Sequence, residues 1–210
     1  MKRLPCTPRV AIAAAILLAV PLLSCQSLPA LHYYSLAPVS PVAVASQPAR
    51  AILIRVRHVS LPREMDHLGL THQLGPTQLA ISDNDQWTAP LGVLIQGTIT
   101  RDLGERLGYA QVIGADALPV ARHPDAQATS QAAPDVSNLD LDFVSLAADG
   151  SCAITAQVNW TLAGPAGEMR RGSAHLAAPA PAGCPAGLPA ALSAALGDLA
   201  DQLIPQLTDS

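Results

Sequence analysis

The feature that most constrains this chain is a run of alternating apolar and polar residues in its C-terminal third. From Ser137 to Ala147, Leu139, Leu141 and Phe143 alternate with Asp140 and Asp142. Successive side chains of a strand point to opposite faces, so a period of two gives one buried and one solvated face. Asp149-Gly150 supplies a turn and Cys152–Leu162 a partner strand. The run Gly164-Pro165-Ala166-Gly167 supplies a second turn, and Met169–Ala177 returns as a third strand. Such an antiparallel meander carries one apolar face that another layer must cover.

Two helical stripes can provide that layer. Leu91, Leu94, Ile95, Ile99, Leu103 and Leu107 recur at helical spacing, and Gly108 is the stop. Trp87-Thr88-Ala89-Pro90 reads as the entrance, with Thr88 or Ala89 as N-cap and Pro90 in the first turn. Ser82-Asp83-Asn84-Asp85 just before it reads as a capping cluster, and Arg101, Asp102, Glu105 and Arg106 fall mainly off the apolar stripe. Leu188–Leu207 is a closing amphipathic helix. Upstream, Tyr33–Leu36 and Ala51–His58 read as strands, the latter with Ile54 and Val56 opposite Arg55 and Arg57. Leu68–Leu74 and Thr77–Ile81 form a hairpin about Gly75-Pro76, and Tyr109–Ile113 is a short strand. Pro38–Pro48 and Gly114–Val136 are connectors rich in Pro and Ala. The expected fold is a single α+β domain: a mostly antiparallel or mixed sheet with a long central helix and a C-terminal helix packed on it.

The N-terminus indicates where that domain works. Lys2, Arg3 and Arg9 precede a stretch from Val10 to Leu23 without a charged residue, the pattern of a secretory signal peptide. It is short for a membrane span, which needs about 20 apolar residues. It ends in Leu22-Leu23-Ser24-Cys25, which resembles a bacterial lipobox. Residues 1–24 are therefore expected to be a signal peptide and Cys25 the lipid-bearing residue (palmitate and related acyl chains), since a thiolate is nucleophilic enough to form the thioether. Gln26 follows where an Asp would favour inner-membrane retention, which points to the outer membrane, periplasmic face. Residues 25–32 would be a lipidated tether and 33–210 the domain; from Cys25 to Tyr33 the chain spans at most about 27 Å.

Beyond residue 24 the chain holds no lysine; its 9 arginines face 16 acidic residues, a formal charge of −7. That argues against nucleic acid, whose phosphates demand cations. Of the four cysteines, Cys6 leaves with the signal and Cys25 is acylated, leaving Cys152 and Cys184 as a disulfide or a pair of buried free thiols. No CxxC motif or neighbouring histidine cluster suggests zinc. There is no phosphate-binding loop, nucleophile elbow or HExxH motif. Asp66, His67 and His72, Asp140 with Asp142, and Asp83 with Asp85 read as turn, strand-surface and capping residues. Neither catalysis nor a cofactor or metal is expected.

Several of these segments together resemble one family. They are Tyr34-Ser35-Leu36 after the lipobox, the Leu61-Pro62 step, Asp66–Gln73, and Gln86–Leu91 opening a long helix that closes Leu103–Gly108. The hairpin of Phe143 and Val158-Asn159-Trp160 completes the set. This combination is similar to the ABC-type transport auxiliary lipoprotein family (PqiC-like), although Asp66-His67 stands where members often carry Asp-Arg. The resemblance implies a non-catalytic subunit of an MCE/ABC-type lipid transport system spanning the envelope. It would dock or scaffold the periplasmic MCE-domain protein, alongside integral membrane transport components and in a homo-oligomeric ring. Trp87 and Leu91 would either staple the helix to the sheet or face a partner. The alternative is a lipoprotein that activates a cell-wall synthase or pilots a secretion channel.

Overall fold

Among the described residues, eight strands make two sheets. A computed structural model describes residues 29–41, 53–108, 112–115 and 136–208. The expected signal peptide, Cys25, most of both connectors and Tyr109 lie outside them. Strands β2 (Leu53–Ser60), β5 (Val112–Ile113), β6 (Val136–Ala148), β7 (Ile154–Ala163) and β8 (Met169–Ala178) form one sheet in the order β5-β2-β6-β7-β8. Strands β1 (His32–Tyr34), β4 (Gln78–Trp87) and β3 (Gly69–Gly75) form the other, in that order.

The β6-β7-β8 meander is antiparallel, and its register pairs Leu141 with Trp160 and Trp160 with Gly172. Leu139, Leu141 and Phe143 are buried on one face of β6, and so are Leu146 and Ala148. A three-residue step from Phe143 to Leu146 would ordinarily reverse the face. The register shift between Phe143 and Ser145 restores it, which is what a bulge does. The turn after β6 is longer than a two-residue hairpin. Asp149 Oδ1 accepts from the Ser151 and Ala153 amides and the Ser151 hydroxyl. Cys152 there takes a left-handed φ of 64°.

Both sheets are mixed, as expected: β2 runs parallel to β5 and β6, and β1 runs parallel to β4, while the other pairings are antiparallel. Helices α1 (Leu91–Leu107) and α2 (Leu188–Thr208) pack against each other, α1 also on β2 and β5, α2 on β7 and β8. Ile95, Ile99 and Leu103 of α1 and Leu192, Leu196 and Leu199 of α2 join Val56, Leu139 and Val158 in the core. Gln96 reaches from α1 to donate to the Val56 and Arg57 carbonyls, where β2 shifts register against β6.

Two local readings are corrected. Ser82–Asp85 is strand, because β4 runs on to Trp87 and pairs there with β1. The N-cap of α1 is Pro90, which has no capping side chain; the Asp66 carboxylate, 3.4 Å from the Gly92 amide, faces that helix start instead. Gly108 closes α1 at φ 98°, donating to the Gly104 carbonyl.

Candidate functional site

The structure disperses the residues in which chemistry was sought. Asp66 faces the start of α1, His67 Nε2 lies 3.0 Å from the Thr71 hydroxyl, and His72 lies apart beside the sulfur atoms of Cys152 and Cys184. Asp140 pairs with Arg57, and Asp142 accepts from the Ser60 hydroxyl across the β2–β6 pairing. Trp87 and Leu91 are both buried in the core of the chain, Trp87 at the end of β4 and Leu91 opening α1.

Cys152 and Cys184 are disulfide-bonded, closing 32 residues. Sequence reasoning saw no histidine near them, yet β3 brings His72 to their side. Donor atoms of the three residues lie within 4.8 Å of one another, the one such trio among the described residues. Both sulfurs are bonded to each other, so neither offers the thiolate that metal binding requires. The His72 Nδ1 atom is buried without a hydrogen-bond partner. A cleft of about 230 Å³ opens beside it, between the β3–β4 hairpin and the end of β6, with Glu64, Gln73, Thr77 and Leu146 among its walls. It holds no nucleophile beside a base, and no catalytic cluster stands among the described residues.

Two polar networks were not visible in the sequence. The first ties β1 to β4. Asp85 Oδ1 lies 3.1 Å from His32 Nδ1 and accepts from the Tyr34 hydroxyl at 3.2 Å, while Oδ2 accepts from Ser82 at 2.8 Å. Burial works to raise the Asp85 carboxyl, but the bonds from Ser82, His32 and Tyr34 hold it below its ordinary range. Burial and the neighbouring Asp85 charge push the Tyr34 phenol up.

The second network ties α1 to α2 and to the segment after β1. Arg106 donates to both Asp201 oxygens (2.6 and 3.1 Å), to the Gly197 carbonyl of α2, and to the Val39 and Asp102 carbonyls. Asp102 Oδ1 accepts from the Val39 amide at 2.7 Å, and Oδ2 is buried without a partner. These residues lie off the apolar stripe, as their spacing indicates, but that side of the helix is covered by α2. The i,i+4 spacing of Asp102 and Arg106 was the available signal; it reads equally well as a solvated pair.

No helix among the described residues is long and apolar enough to cross a membrane. A family model described as "ABC-type transport auxiliary lipoprotein component" matches residues 34–204. No curated protein matches the chain. Among solved structures, the protein XCC0632 from Xanthomonas campestris superposes with a TM-score of 0.63 at 17% identity, covering 84% of this chain and 94% of its own. An uncharacterized protein superposes at 0.62 and 16% identity, covering 85% and 99%. At those identities the likeness speaks to the fold alone.

Proposed function

The chain belongs to the ABC-type transport auxiliary lipoprotein family, and from that membership we propose that it is the outer-membrane docking subunit of an envelope lipid transport system. Cys25 carries the acyl chains on the periplasmic face of the outer membrane, and the domain receives an MCE-domain protein that works with an ABC-type permease. The observation that carries the reading is the family match, which spans residues 34–204. A short uncharged tether from Cys25 to the first strand agrees with it, because it holds the domain against the membrane. Lipids need such a terminus: each methylene exposed to water costs about 0.8 kcal/mol, so a sheltered route must end against a bilayer. A ring of copies would match a ring-forming partner.

Crosslinking in native envelopes followed by co-purification and mass spectrometry tests the reading, with Cys25→Ala beside wild type. An MCE-domain protein recovered with wild type, and lost with Cys25→Ala, is the expected result. Recovery of a cell-wall synthase or a secretion channel, with no MCE-domain protein, would overturn it and favour an activator or pilot lipoprotein.

A further inference from the structure

Large apolar side chains are not left exposed evenly over this domain. Of the nine such residues among those described, six are Leu31, Tyr33, Leu68, Leu74, Leu79 and Ile81. All six lie on the β1-β4-β3 sheet or immediately before one of its strands. The other three are dispersed on α1, β6 and β8. Single exposed apolar residues need no explanation, but a group of them marks a surface that is covered in use.

Three observations select the occupant. From Leu68 to Ile81 the hairpin contains no Asp, Glu, Lys or Arg, and neither does the stretch from Gln26 to Tyr34. Entering an apolar phase therefore desolvates no obligatory charge, the dominant penalty for such a step. Second, β1 runs parallel to β4, with His32 opposite Asp85 and Tyr34 opposite Trp87. The chain thus enters the sheet from the side on which the hairpin turns. Leu74 and Leu79 flank that turn; Ile81, two residues after Leu79, shares its face, and Ile81 is 57% exposed. Third, Tyr33 lies only 8 positions after Cys25, at most about 27 Å of chain.

Resting on the reading that Cys25 is acylated, we propose that the β3–β4 hairpin is a second, non-covalent membrane contact. It seats Leu74, Leu79 and Ile81 in the headgroup–acyl boundary of the bilayer that holds the anchor, with Tyr33 at the polar interface where tyrosine is favoured. The contact is apolar, so salt does not weaken it. It fixes the domain's orientation, which acyl chains at one residue do not.

The test uses the mature acylated protein in vesicles of phosphatidylethanolamine and phosphatidylglycerol. A photoactivatable benzophenone side chain replaces Leu79 or Ile81, and in controls Val144 or Met169. All four positions are exposed, and thermal melts matching wild type verify folding. Irradiation and intact mass are expected to give lipid adducts several-fold more abundant at Leu79 and Ile81 than at the controls, equally at low and high salt. Adducts no more abundant than at the controls, or adducts to a second copy of the chain, overturn the proposal; the intact mass before irradiation reports separately whether Cys25 carries lipid. No transport partner is present, so this result stands apart from the identity of the protein recovered from envelopes.

Discussion

Asp102, beside Arg106, makes one contribution to how the stability of this domain responds to pH. Burial raises the Asp102 carboxyl to about 6, against the opposing pull of the Val39 amide and Arg106. An unfolded aspartate titrates near 3.9, roughly two units lower. Between those values Asp102 is more fully protonated in the folded chain than in the unfolded one, so its contribution to stability falls as pH rises through about 4 to 6. Above that window the full cost, on the order of 3 kcal/mol, persists. Asp102→Asn keeps an acceptor for Val39 and removes the charge. It is expected to raise the urea-unfolding free energy at pH 7.5 by about 1–3 kcal/mol and to flatten the response between pH 4 and 6. Arg106→Ala works the other way. It leaves buried Asp102 without its cation and takes a donor from the Val39, Asp102 and Gly197 carbonyls, and is expected to cost about 3–5 kcal/mol by the same measurement. Gly172 has a different constraint: a Cβ there would lie 2.4 Å from the Trp160 ring. Gly172→Ala must displace the indole, with an expected loss of about 1–3 kcal/mol and a shift in tryptophan fluorescence.

At the scale of elements, the disulfide links the β6–β7 turn to the segment before α2. Cys152→Ser with Cys184→Ser is expected to lower stability by about 3–4 kcal/mol, the loop-closure value for this spacing, read as an earlier urea midpoint. The meander and both helices were legible because their apolar periods are local and long. The parallel pairing of β2 with β6 was not, since it joins segments some eighty residues apart and leaves no local pattern. Ser82–Asp85 misled for a related reason. Polar residues before a helix read as caps until a distant strand supplies partners, here His32 and Tyr34. The Arg106 network escaped because a charged pair on a helix signals water unless a second helix covers it, and nothing within α1 announces α2.

For the whole molecule, the acyl chains proposed at Cys25 would decide where the domain resides. Cys25→Ala is expected to move the protein from the membrane pellet to the soluble fraction after cell fractionation, with the thermal melt of the domain unchanged. The hairpin alone does not hold it, because three apolar side chains bury far less area than two or three acyl chains. The α+β class and the family resemblance were legible in the sequence, and the match over residues 34–204 agrees with them. The division into two sheets was not, because it turns on β4 pairing with β1 rather than continuing the larger sheet.

The parallel pairing of β1 with β4 also has a mechanical side. Any pull on the residues before His32 is transmitted along the axis of β1. It loads the backbone hydrogen bonds to β4 together with the His32 and Tyr34 contacts to Asp85, in shear and all at once. A pull directed across the sheet would instead open the same bonds one after another. If the domain is held through the residues before His32, as proposed, its first strand shares an axial load across all of these contacts.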